Sequence, residues 1–350
     1  MMAQIIITSQ CNNSRHAFAH PLCRVALYLA VFFILPGLAN AQAGTGFSTD
    51  DASESSLIFI QGKRNSHTAL DTPPNPGERA DIATLADEDK RFRTRALIYG
   101  GAGAVAAYGA AVWWKDGFSG RFRSTNEGWF GQDTYTGGAD KIGHTYATYA
   151  GTRLLARAFE WAGNDRDTSL GLSALTVFGT LLAVETLDGF SERYRFSKED
   201  LIMNAVGTGL ALVFEKNRRI DDLLDFRLHY WPSSEARRLN EIDPIGDHSG
   251  QTFLLVAKAT GMPQLKNREI LRYFELAAGY GTHGYEPNEG APYPDRSRHL
   301  YFGISLNISE ILKDTAFRGA TSRSRSQEIA DTVLEYVQIP GTAALADHRL

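Results

Sequence analysis

The sequence predicts an α+β protein, a four-helix bundle-like domain followed by a small antiparallel β-sheet. Three observations carry that expectation. Residues 94–216 run as long apolar or amphipathic stretches rich in Gly and Ala, separated by short links, a helical pattern. Beyond about residue 245 the side chains alternate with a period of two, a strand pattern. Only two cysteines occur, Cys11 and Cys23, and both precede the folded part, so an apolar core and not a disulfide framework must hold the chain together.

The start reads as a secretory signal over residues 1–41. Arg15 and Arg24 supply positive charge, "VALYLAVFFIL" supplies eleven apolar residues, and "PG" and "ANA" follow, ending at Ala41. Eleven apolar residues are too few to span a bilayer, and the A-x-A site fits cleavage before Gln42. The expected mature chain then has 34 basic against 40 acidic residues, a net charge of −6. An acidic chain with no basic block is poorly suited to nucleic acid. Residues 42–90, rich in Gly, Ser, Thr, Asp and Pro, read as a disordered leader,.

The helical domain is expected over 91–230, with helices at 95–114, 141–163, 169–189 and 197–219. The first ends in Trp113 and Trp114, either an interfacial anchor or two core side chains. The link between the first two helices, residues 115–139, is long and aromatic, and a loop of that length in a compact domain is often functional. The glycine string "YGGAGAVAAYGAA" has no strand before it and no phosphate-binding lysine after it, so it reads as helix packing,. A C-terminal antiparallel region is expected over 245–345, with strands at 251–261, 272–285, 299–312 and 333–340.

The helices carry polar pairs at helical spacing. Asp140 and His144 are four apart, Glu185 and Asp188 three apart, Asp200 and Asn204 four apart. Each pair therefore shares one helix face. The same faces continue through small residues, Ala147, Thr148 and Gly151 on one helix and Gly207, Thr208 and Ala211 on another. Such faces let helices approach closely, so the pairs are expected to converge on one centre together with Lys141. A plainer explanation covers part of this. Asp140 could be an N-cap, and Ser197 with Asp200 has the capping-box spacing. Glu185 and Asp188 lie near a helix C-terminus, where acids oppose the dipole. They therefore require a partner, for which Lys141 and Arg193 are the candidates.

"WW", "EGWFGQDTYTGGADKIGH" and "ETLDGFSERYRFSKEDLIMNAVGTG" resemble the YfiM-like family of periplasmic lipoproteins, a domain of unknown function, over roughly residues 95–220. A more distant likeness reaches the VanZ-like membrane proteins, with their "DK..H", "E" and "D...N..G" signatures. The chain departs from both. Cys23 precedes the apolar run, where no lipid anchor would form. Arg153 and Arg157 on the second helix oppose a membrane span there. The resemblance implies a periplasmic, membrane-associated envelope protein and supplies no reaction.

Two functions stay open. The Asp140, Lys141, Asp200 and Asn204 groups could form a binding or purely structural centre. Alternatively His144, Glu185 and Asp188 could act as acid–base groups of a hydrolase or transferase working on an envelope lipid or glycan. A divalent metal is compatible with either, with His144, Asp140 and Glu185 as ligands. The expected partner is a membrane or lipid of the cell envelope. No protein partner is indicated.

Overall fold

The computed structural model describes residues 76–350 except 266–267, 289, 291 and 320–322; the expected signal peptide and most of the leader lie outside the described residues. Helix α1 (Pro76–Val112) is followed by α2 (Ala139–Trp161), α3 (Arg166–Phe190) and α4 (Lys198–Lys216). A short α5 (Arg218–Leu223) leads into the sheet. Residues 124–125 (β1) and Phe196–Ser197 (β2) form a two-residue parallel pair that ties the loop before α2 to the start of α4.

The sheet has five antiparallel strands in sequential order: β3 (Leu224–Tyr230), β4 (Gln251–Lys258), β5 (Phe274–Tyr285), β6 (Pro292–Leu306) and β7 (Ala343–Arg349). Three short helices interrupt it: α6 (Ser234–Leu239), α7 (Ile308–Asp314) and α8 (Arg325–Tyr336). The α+β class is as the sequence predicts.

One core joins the two halves. Tyr149 and Leu154 of α2, Ala211 and Phe214 of α4, Phe226 of β3, Phe253 of β4 and Tyr336 of α8 pack together. Beside them Arg153 of α2 is fully buried. It donates to Tyr149 Oη (2.6 Å) and Glu215 (2.7 Å), and pairs with Asp221 and Glu335. A guanidinium can be buried only when its fork is fully paired. Arg153 therefore locks α2 to α4, α5 and α8.

Several boundaries differ from the sequence expectation. Residues 76–90 of the expected leader are helical, because Pro76 sits at the first position of α1, where proline is favoured,. The sheet begins at Leu224 and not near 245, since Leu224, Phe226 and Leu228 alternate toward the helices. Of the expected strand at 333–340, residues 333–336 are instead the end of α8, and beyond it Val337 makes only an isolated parallel bridge to Leu228. Ser324 accepts from the Gln327 amide at the start of α8, the S-x-x-Q signature of a capped helix. The expected strand at 299–312 stops at Leu306, where Asn307 caps α7 by accepting from the Glu310 amide. The last strand, β7, runs to Arg349, past the expected end at 345.

Candidate functional site

The site forms where the start of α2, the end of α3 and the start of α4 meet. A 3-10 turn, Tyr135–Gly138, delivers the chain into α2 with Gly137 at φ 62° and Gly138 at φ 89°. Both positions demand glycine. A Cβ on Gly137 would stand 2.6 Å from Tyr285 Oη, and one on Gly138 would stand 2.8 Å from the Trp129 carbonyl,. Gly138 is the N-cap residue, so the Asp140 carboxylate is not used as a cap. The Asp140 amide instead donates to Thr136 Oγ1 at 3.0 Å. At α4, Ser197 Oγ accepts from the Asp200 amide, as the capping pattern predicts. The reciprocal bond does not form. The Ser197 amide donates to Glu185 of α3 (3.4 Å), which leaves the Asp200 carboxylate for the site.

Lys141 is fully buried and its ammonium bonds Glu127, Asp140 (3.1 Å) and Asp200. His144 faces the same carboxylates. Its Nε2 lies 3.6 Å from Asp140 Oδ1, 3.8 Å from Glu185 Oε1 and 3.9 Å from Asp200 Oδ2. Its Nδ1 meets Asn204 Oδ1 at 3.1 Å. His248, from the turn before β4, brings its Nε2 to 3.7 Å from Asp140 Oδ1. Asp188 accepts from the indole Nε1 of Trp114 at 2.6 Å. The sequence-predicted groups thus gather in one place, apart from Asp188, which lies beside the centre and is engaged by Trp114.

One expectation needs correction. The partners of the α3 acids are Trp114, the Ser197 amide and His144, not Lys141 or Arg193. Lys141 is committed to the other three carboxylates, and Arg193 donates to the Asn288 carbonyl. Trp114 is buried, so the second tryptophan of the pair is a core side chain. Glu127 and His248 were missed. Glu127 sits in the long aromatic loop singled out as functional, but no periodicity marks it. His248 is about 100 residues away in sequence, and only the fold brings it near.

The electrostatics follow from burial of like charges. Burial, then Asp140 and Asp200, push Glu127 up to about 8,. Burial, then Asp200, Asp188 and Asp140, push Glu185 up to about 8 against the pull of His144. Burial raises Asp200 as well, reinforced by Asp140. Asp140 is the exception. Burial would raise it, but Lys141, His144 and His248 together hold it well below the usual carboxylate range. Burial would lower both cations. Asp140, Asp200 and Glu127 reverse this for Lys141, and Asp200, Asp140 and Glu185 raise His144 to about 9. Near neutral pH Glu127 and Glu185 therefore hold protons, while Lys141 and His144 stay charged beside the ionised Asp140.

Asp140, His144 and Asp200 place one ligand atom each within 4.8 Å of one another, a spacing that could hold a metal ion. Asp200 takes the third place expected for Glu185, because Lys141 draws it inward and Glu185 is turned to the Ser197 amide.

These features define a helical domain with a carboxylate–imidazole–ammonium centre, backed by a sheet. Residues 126–216 match the family described as a predicted periplasmic lipoprotein (DUF2279). That segment contains Glu127, Asp140, Lys141, His144, Glu185, Asp188, Asp200 and Asn204, so nearly the whole centre lies within the similarity. No curated protein and no solved structure matches the chain. The family match supports a periplasmic, membrane-associated location.

Proposed function

We propose that the chain is an exported, membrane-associated envelope protein whose polar centre binds a divalent cation through Asp140, His144 and Asp200. The carrying observation is the posture of His144. Asn204 Oδ1 accepts from Nδ1, so Nε2 is the nitrogen that faces the carboxylate oxygens; with no ion there it carries the proton that those carboxylates favour, and a metal ion would displace that proton to bind Nε2,. Those oxygens are 3.6–3.9 Å away, too far for good hydrogen bonds,. Ligand atoms about 2 Å from a tetrahedral ion stand roughly 3.3 Å apart, close to this spacing. An imidazole held by a hydrogen bond on its other nitrogen is the usual arrangement of a metal-binding histidine. Mixed imidazole and carboxylate donors suit zinc or manganese.

Membrane association is supported by exposed apolar surface. Among the described residues α3 is the one helix long and apolar enough to cross a membrane, and only 22% of its apolar window is buried. Leu175 and Phe190 on α3, and Ile202, Val206 and Val213 on α4, are exposed. Patches of this kind mark contact with lipid or a partner. We read these helices as lying against the envelope membrane, which agrees with the expected YfiM-like and VanZ-like kinship.

The test is calorimetric titration of zinc and of manganese into the chelator-treated chain, with thermal melting alongside. One-site binding that raises the melting temperature, and that His144→Ala and Asp200→Asn abolish while both variants still fold, is expected. At 100 times Kd, ligation stabilises by about 2.7 kcal/mol. No heat and no shift with either ion at millimolar concentration would overturn the reading.

A second reading is a hydrolase or transferase acting on an envelope lipid or glycan at this centre. It is favoured by Glu185, a carboxyl that holds its proton near neutral pH 3.8 Å from His144,. A His144→Ala protein that binds no ion in either form, melts like wild type and fails to complement a deletion strain would select it.

A further inference from the structure

The sheet carries a second constellation, remote in sequence from the helical centre. On β6, Ser297 and His299 are two residues apart and so project from the same face,. Ser297 Oγ lies 2.7 Å from His299 Nε2. His299 Nδ1 lies 2.6 Å from Asp347 Oδ1 on the neighbouring strand β7. The strand register explains the meeting. His299 pairs with Arg349 and Tyr301 with Asp347, so Asp347 stands diagonally across from His299 on the same face,.

The tautomer follows from the partners. An ionised carboxylate only accepts, so Asp347 calls for a proton on Nδ1. Nε2 is then the acceptor, and the Ser297 hydroxyl must donate to it. This is the hydrogen-bond order of an activated serine, with nucleophile, base and orienting acid in line. Around the imidazole, the ring of His283 packs edge-on at 4.7 Å and that of Tyr301 stacks at 6.0 Å. His283 Nε2 is itself engaged by Tyr301 Oη at 3.0 Å, so His299 is held in place from both sides. Ser297 and His299 are buried, while His283 and Asp347 are exposed and form the solvent side of the array. A β-bulge between His283 and Tyr285 interrupts the ladder beside Ser297, the kind of irregularity that re-aims side chains at sites.

We infer that Ser297, His299 and Asp347 form a nucleophilic acyl-transfer site for carboxylic esters, with Ser297 and His299 as catalytic residues and Asp347 as a positioning residue. Ser297 Oγ attacks the ester carbonyl carbon while its proton passes to His299 Nε2. The tetrahedral species collapses, the C–O bond to the alcohol breaks, and Nε2 returns the proton to the departing alkoxide. Water then attacks the acyl-serine, gives one proton to Nε2, and releases the carboxylic acid as Ser297 recovers that proton. Atoms balance as ester plus water to acid plus alcohol, with no redox partner.

The experiment treats the full chain with a fluorophosphonate, which phosphonylates activated serines, and maps the adduct by peptide mass spectrometry. The expected result is a stoichiometric adduct on Ser297 of the wild-type chain, with hydrolysis of p-nitrophenyl acetate lost in parallel. His299→Gln should slow labelling by roughly 10²-fold or more. Asp347→Asn should slow it and shift its pH profile, and Asp347→Glu should restore it, which a merely structural carboxylate would not do. Mapping on the wild-type chain needs no variant to fold. An unmodified Ser297 in protein with a native circular dichroism spectrum, or an adduct whose rate ignores His299→Gln, would overturn the inference.

Discussion

Gly207 of α4 packs directly on Thr145 of α2: a Cβ at Gly207 would overlap the Thr145 carbonyl oxygen and the Thr148 hydroxyl. That contact, one turn beyond Asn204, brings Asn204 Oδ1 to His144 Nδ1. Gly207→Ala should therefore destabilise by about 1–3 kcal/mol through overpacking. Gly209, two residues on, has nothing within 4 Å of its own would-be Cβ. Gly209→Ala should stabilise by up to about 1 kcal/mol through helix propensity. Chemical denaturation of the two variants checks the contrast, and equal effects would refute the close approach.

Lys141 is the one buried ammonium among Glu127, Asp140 and Asp200. Lys141→Met keeps the stem and removes the charge. Three carboxylates then face one another without their cation, and stability at neutral pH should fall by about 3–5 kcal/mol. A melting temperature within a degree of wild type would show that the ammonium is not their main counter-ion.

Asp188 has its pKa raised from 3.8 to about 6, chiefly by burial. The folded chain therefore holds that proton more tightly than the unfolded chain. The associated stability is fully present below about pH 4 and is lost as pH rises through 6. Its partner gives a direct probe. The Trp114 indole N–H resonance should move with a midpoint near 6, and Asp188→Asn should flatten the titration. An indole signal constant from pH 4.5 to 7.5 would contradict the shift.

Export predicts a processed N-terminus. The charged start, apolar run and A-x-A site are the grounds for expecting cleavage before Gln42,. N-terminal sequencing of protein from the envelope fraction should begin at Gln42 or within two residues. A chain still carrying Arg24 would count against a cleaved signal.

Much of the centre was legible because helical spacing is local. Asp140 with His144, and Asp200 with Asn204, announce a common face by being four apart, and Gly207 on the same face announces close packing. The capping pattern of Ser197 was also legible, but its completion was not. Whether the Ser197 amide would be satisfied by Asp200 or by Glu185 depended on how α3 approaches α4. Over 333–336 the expected strand gives way to α8 for a different reason. "VLEYVQIP" alone fits a strand, and the helix is specified upstream, by Ser324 and Gln327.

By itself the sequence determined the α+β class, the apolar helices, the polar pairs and the faces they share, since these follow from periodicities of 3.6 and 2 within single elements. The tertiary structure alone decided which pairs meet. It committed Lys141 to three carboxylates, turned Asp188 to Trp114, brought His248 to Asp140, and aligned Ser297 with His299 and Asp347 across β6 and β7. Those contacts depend on helix approach and strand register between segments tens to about 100 residues apart, and no local pattern encodes either.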